Sequence, residues 1–271
     1  MTQQVQSAIT EQSAETVTTP SPAMRLYATI WWLSFAIFTT IMFFAVVLAL
    51  PTVLFDPRRR VLHVLTTCFW GWAVYAMNPF WSLRVEGREK VPWDGRAVLV
   101  ANHDSLADIL VVGSIFRPFK FVSKASVFKV PLMGWGMRAN QYIPLVRGNG
   151  ESVRRMMADC RSWLERDVPV LLFPEGTRSP DGLVQPFKNG AFQLSVETGS
   201  PIYPIVLAGT ADALPKHGLI APLRSHVRVK VLDPVDPAEF GNNAEALREH
   251  VRTVIVSEKA KLLKTLPPTT R

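Results

Sequence analysis

Residues 26–50 read LYATIWWLSFAIFTTIMFFAVVLAL, 25 positions without one charged side chain. At 1.5 Å per residue a helix of that length covers the roughly 30 Å of a bilayer's hydrocarbon core. A signal peptide would want a cationic start, a shorter apolar stretch and a small-residue cleavage site, and a soluble core helix is rarely so uniformly apolar. The pattern therefore predicts a membrane helix. Pro51 and Pro57 end it, and Arg58-Arg59-Arg60 follows. A second apolar stretch, residues 61–83, contains His63, Gly71, Asn78 and Pro79. It is long enough to span, and it reads equally as a tilted or interfacial helix. If only the first segment spans, the Arg triplet outweighs Arg25 and puts the rest of the chain in the cytoplasm. If the pair forms a hairpin in one leaflet, both ends lie on one face and anionic lipid holds the triplet there.

Beyond residue 83 short apolar runs alternate with amphipathic stretches. Residues 97–101, 120–123, 142–146, 168–173, 202–207 and 227–232 read as strands. Val153, Met156, Met157, Cys160 and Leu164 repeat at helical spacing, and residues 243–263 form a closing helix. The expectation is an α/β domain with a mixed sheet flanked by helices, preceded by an N-terminal membrane-anchoring helix pair. Three parts follow: a disordered tail over 1–25, anchoring helices over 26–83 and a folded α/β domain over 84–271.

The chain has 271 residues and a net charge of +8, a surplus that suits nucleic acid, an anionic membrane surface or a phosphorylated substrate. The apolar N-terminus favours the last two over nucleic acid. Cys68 and Cys160 are too few for a disulfide framework or a cysteine-rich metal site.

Chemistry concentrates in two loops. After the strand at 97–101 comes Asn102-His103-Asp104-Ser105-Leu106-Ala107-Asp108, where Ser105 and Asp108 have the spacing of a capping box. Residues five apart inside one helix point about 140° apart, so His103 and Asp108 meet only if His103 precedes the helix. Asp108 then either orients an imidazole base or simply caps. The second loop, 173–179, reads FPEGTRS and follows another strand, where α/β folds place ligands. Gly176, Thr177 and Arg178 suit a phosphate monoester, and Glu175 binds a hydroxyl or holds Arg178. Lys124, Arg147 and Lys188 also follow strands or precede a helix, so cations converge on one sheet edge with a histidine beside them. Residues 134–139, GWGMRA, match a dinucleotide-binding pattern by letter but follow no clear strand. His103, Asp104 and Asp108 lack a second histidine pair at ligand spacing, so no metal site is expected.

Asn102 to Asp108 resembles the NHxxxxD block of the glycerolipid acyltransferases, and Phe173 to Ser179 their FPEGTRS block. Ile143-Pro144-Leu145-Val146-Arg147 is similar to the block that ends in a phosphate-binding arginine. Pro201-Ile202-Tyr203-Pro204-Ile205-Val206 is similar to the fourth, with Tyr203 where an aliphatic residue is usual. The resemblance is nearest to bacterial 1-acyl-sn-glycerol-3-phosphate acyltransferases. It implies that His103 is a general base oriented by Asp108, with no covalent acyl-enzyme. Arg147 and Arg178, with Lys124, would hold the acceptor's phosphate, Glu175 and Gly176 would position the glycerol, and Thr177 belongs to the substrate-binding set. The implied partners are a membrane lipid acceptor, the bilayer and an acyl thioester, acyl-CoA or acyl-carrier protein, as co-substrate without a further cofactor. Another lyso-lipid acceptor such as a lyso-ornithine lipid, a membrane-bound thioesterase or lipid hydrolase, and an idle lipid-binding protein are the alternatives.

Overall fold

Ser21 opens the first helix: its hydroxyl accepts from the Met24 amide at 3.2 Å, and Pro22 takes the first helical position. A computed structural model describes residues 21–213 and 224–267, so the first 20 residues of the expected tail lie outside the described residues. Residues 22–25, assigned to that tail, are helical. The cap moves the start of α1 (Pro22–Ala49) ahead of the uncharged run. Leu26, Ile30, Leu33, Ile37, Ile41 and Phe44 form one exposed stripe along it. The opposite flank packs aromatic rings on the domain, with Trp31 at 5.0 Å from Trp81, Phe35 at 6.2 Å from Trp70 and Phe43 at 5.4 Å from Trp135. With the 3₁₀ turn after it, this helix runs Pro22–Leu54, and it alone among the described residues is long and apolar enough to cross a membrane.

The second apolar stretch divides. α2 (Arg60–His63), a π-helical turn (Val64–Cys68) and α3 (Phe69–Ala76) dock on the domain, burying Leu62, His63, Cys68, Val74 and Tyr75. Gly71 meets the Leu110 carbonyl so closely that no side chain fits between them. Asn78 and Pro79 then stop the helix, and the Asn78 carboxamide accepts from the Phe80 amide at 3.0 Å. Trp81 starts a strand, β1 (Trp81–Glu86), so the expected boundary at residue 84 falls inside the sheet. The sequence concealed it because Phe80, Trp81 and Leu83 continue the apolar character of the stretch past the Asn78-Pro79 break.

Six more strands complete the sheet: β2 (Val98–Ala101), β3 (Lys120–Lys124), β4 (Ile143–Leu145), β5 (Val170–Leu172), β6 (Ile202–Ala208) and β7 (Ser225–Val231). The order is β1-β7-β6-β2-β5-β3-β4, and every pair is parallel except β6–β7. The mixed sheet expected from the sequence is present. β2 is buried throughout, with Leu99 and Ala101 in one core and Val98 and Val100 in the other. Helix α4 (Ala107–Gly113) packs against α3, and α5 (Met133–Ala139) follows β3. Helices α6 (Gly150–Glu165), α7 (Gly190–Thr198) and α9 (Ala244–Thr265) contribute to the second core, and the short α8 (Thr210–Ala213) follows β6. Residues 134–139 belong to α5, where Gly134 packs against the Phe128 carbonyl while Gly136 faces open space, so the segment forms no strand-to-helix cradle.

Candidate active site

β6, β2, β5, β3 and β4 run parallel, so their C-terminal ends share one edge of the sheet. β2 ends at Ala101, and the chain turns through residues 102–106 before α4 begins at Ala107. Asn102 fixes the turn: its carboxamide oxygen accepts from the Leu207 amide and its nitrogen donates to the Leu207 carbonyl, both at 2.9 Å. The sheet thus gains one further rung beyond β2, made by a side chain.

His103 lies before the helix, as the geometry required, and its Nδ1 is 2.7 Å from Asp108 Oδ2. The same oxygen accepts from the amides of Asp104 at 2.7 Å and Ser105 at 2.8 Å. Capping and imidazole orientation, opposed readings of the sequence, are one arrangement. Asp108 is wholly buried, and the His103 side chain is 9% exposed. With Nδ1–H donated to the carboxylate, Nε2 is the nitrogen that can take a proton. Phe173 stacks on the imidazole at 4.3 Å between centroids, which fixes the ring plane.

Glu175 joins the two loops. Its Oε1 accepts from the His103 amide at 2.7 Å and its Oε2 from the Gln185 amide at 2.9 Å, while the Ser179 amide donates to the His103 carbonyl at 2.7 Å. Burial pushes the Glu175 carboxyl above the usual carboxylate range, against the pull of those two amides. Glu175 is buried, and by accepting one amide from each loop it ties the turn after β2 to the loop after β5.

Gly176 has φ +70°, and a Cβ there would lie 2.7 Å from Lys188 Nζ. The Lys188 ammonium thus rests against the loop, and the Lys188 backbone amide donates to the Pro174 carbonyl at 2.9 Å. Thr177 is exposed and Arg178 half-buried. Lys124 closes β3 and Arg147 lies two residues past β4, both exposed. At about 4.8 Å per strand, β5 is one interval from β2 and β4 three, roughly 14 Å along the edge. Arg178 therefore lies in the loop next to His103, while Arg147 stands at the far end of the same edge. Among the described residues no carboxylate pairs with Lys124, Arg147, Arg178 or Lys188.

Sequence reasoning missed Lys259. Its ammonium is 2.6 Å from Asp104 Oδ2 and donates to the Gly182 carbonyl at 2.7 Å, with both charged side chains almost fully buried. The signal was present, because Leu247, Val251, Ile255, Lys259 and Leu262 form the buried stripe of α9, and a lysine on an apolar stripe requires a partner. Burial raises the Asp104 carboxyl, and Lys259 opposes the rise. Asp104 is thereby committed to an ion pair, and among the described residues no cluster of His, Cys, Asp or Glu is arranged to hold a metal.

A family model described as Acyltransferase matches residues 82–208. The chain is 33% identical over 244 residues to the chloroplastic 1-acyl-sn-glycerol-3-phosphate acyltransferase LPAT1 of Arabidopsis thaliana, covering 87% of this chain and 66% of that protein. It is 36% identical over 238 residues to a 1-acyl-sn-glycerol-3-phosphate acyltransferase of Chlamydomonas reinhardtii, covering 87% and 68%. The chain spans about two thirds of the length of these relatives. Its fold matches the crystal structure of the 1-acyl-sn-glycerophosphate (LPA) acyltransferase PlsC from Thermotoga maritima with a TM-score of 0.76 at 27% identity, over 91% of this chain and 100% of that one.

Proposed function

The chain belongs to the acyltransferase family, and from that premise we propose that it transfers an acyl group from a thioester to the free hydroxyl of 1-acyl-sn-glycerol-3-phosphate, making phosphatidate. One observation carries the proposal: the His103–Asp108 pair shares a sheet edge with cations that no carboxylate neutralises among the described residues. A base and an anion grip on one edge suit an acceptor that carries both a hydroxyl and a phosphate.

His103 Nε2 takes the hydroxyl proton as the acceptor oxygen forms a bond to the thioester carbonyl carbon. Collapse breaks the carbon–sulfur bond, and the departing thiolate recovers the proton from the imidazolium. Asp108 keeps Nε2 facing the substrate and balances the charge that forms on the ring, the logic of a serine triad without its serine. Base catalysis supplies about 10²–10⁴-fold. Most of the remainder comes from holding two reactants together, the task of Arg178 and Arg147 with Lys124 at the phosphate. Gly176 and Thr177 offer backbone and hydroxyl contacts at the mouth of the site. Acyl-CoA and acyl-carrier protein both present the required thioester together with negative charge that the basic chain attracts. Acceptor and product are bilayer lipids, which accounts for the apolar stripe on α1. If α1 alone spans, the excess of Arg58-Arg59-Arg60 over Arg25 supports a domain on the cytoplasmic face.

The test is a panel of acceptors: lysophosphatidate, uncharged monoacylglycerol and a lyso-ornithine lipid. Lysophosphatidate should be strongly preferred, with phosphatidate as the product. Arg178→Ala should raise the lysophosphatidate KM by roughly 10- to 150-fold, the worth of a charge-assisted contact of about 1.5–3 kcal/mol. It should leave the donor KM nearly unchanged. Equal use of monoacylglycerol, or release of free fatty acid as the main product, would overturn the reading.

A further inference from the structure

Helix α9 lies outside residues 82–208, the stretch shared with the family model, yet it reaches the catalytic turn. Lys259 joins three segments at one ammonium: its own helix, Asp104 beside His103, and Gly182 in the loop that supplies the Gln185 amide to Glu175. The same helix holds that loop twice more. Arg252 donates to the Val184 carbonyl at 2.9 Å, and Arg248 to the Asn189 side chain at 2.7 Å. We infer that Lys259 is a positioning residue, the counter-ion that keeps the Asn102–Asp108 turn charge-balanced and in register with the 173–189 loop, so that α9 is part of the apparatus for the reaction.

The energetics favour this over a purely structural role. Withdrawing a carboxylate and an ammonium from water costs about as much as their attraction returns, so an apolar pair would stabilise the fold as well or better. The buried charged groups around His103 are Asp108 on α4, Asp104 on the turn, Glu175 on the loop after β5 and, behind Asp104, Lys259 on α9. Arg178 on that loop and Lys188 against it are the more exposed cations nearby. Three carboxylates thus stand around one base with a single buried ammonium to balance them. Without that ammonium the cluster gains negative charge. A proton then binds at higher pH, on His103 or on Asp104, and either event disturbs the resting base. The inference rests on His103 acting as the base.

Four variants test it: Lys259→Met, Lys259→Arg, Asp104→Asn and the double variant Asp104→Asn/Lys259→Met. Each would be assayed for kcat, acceptor KM, the pH profile of kcat/KM and thermal unfolding. Lys259→Met should lower kcat by about 10- to 100-fold, as expected when a reacting group is misplaced, with the acceptor KM changed little. Its acid limb should move to higher pH. Asp104→Asn alone should move that limb the other way, because His103 then loses a neighbouring negative charge. The double variant should bring the limb back towards wild type, and Lys259→Arg should keep most of the activity. If Lys259→Met lowers thermal stability and leaves the acid limb in place, the lysine is only structural and the inference fails. A double variant no nearer to wild type than Lys259→Met would also overturn it. Should Lys259→Met not fold, the double variant and Asp104→Asn decide the matter by the same limb. Activity retained in His103→Ala would instead overturn the base assignment, and the inference with it.

Discussion

At the scale of single residues, the site is built from side chains that each hold backbone as well as chemistry. Asp108 Oδ2 accepts from two amides and an imidazole, and Glu175 splits its two oxygens between the amides of His103 and Gln185. Glu175→Gln makes this testable, because a carboxamide has one accepting oxygen and must turn its NH2 towards one of those amides. The loss of a buried acceptor should cost about 1–3 kcal/mol of stability, read by denaturant unfolding in detergent. A substrate contact alone would leave stability unchanged and alter only KM. The sequence showed Glu175 beside Arg178 and suggested a hydroxyl or arginine partner. It could not show that His103, 72 positions earlier, would present its amide there. The local pair His103 and Asp108 was legible because a turn between strand and helix is a short-range event. Lys259 was hidden by distance along the chain, although its place on an apolar stripe marked it.

At the scale of elements, six of the seven strands were readable to within two residues because apolar runs of four to six residues have few other uses in an α/β chain, whereas β1 was missed because its start was taken into the apolar stretch 61–83. Nor was the direction of β1 and β7 readable, since it depends on which edge each connection crosses. The 61–83 stretch divided because its two faces differ. Leu62, His63, Val74 and Tyr75 turn inward, whereas Val61, Leu65, Phe69 and Trp72 remain exposed. Gly71 measures how tightly this helix docks. In a free helix Gly→Ala gains about 0.5–1 kcal/mol from reduced backbone freedom. Here the new methyl strikes the Leu110 backbone carbonyl, and overpacking costs about 1–3 kcal/mol. The penalty should win, so Gly71→Ala should unfold at lower temperature than wild type. A raised unfolding temperature would mean that α3 is only loosely seated on α4. Because α4 begins at the turn that carries His103, a displaced α3 should also lower kcat.

At the scale of the whole molecule, one helix with a lipid-compatible stripe carries a mixed sheet whose parallel strands end at the His103–Asp108 pair and at cations that no carboxylate neutralises among the described residues. The proposed function rests on that arrangement, with a lipid acceptor and a thioester donor as its proposed substrates and α1 as its proposed anchor. The most direct test mixes radiolabelled acyl-CoA with lysophosphatidate in detergent micelles and compares wild type with His103→Ala by product chromatography. Wild type should form labelled phosphatidate, and His103→Ala should form it about 10²–10⁴-fold more slowly, the worth of a general base, while retaining the wild-type unfolding temperature. Phosphatidate formed at near wild-type rate by folded His103→Ala, or free fatty acid as the main wild-type product, would contradict base-catalysed transfer to the lyso-lipid.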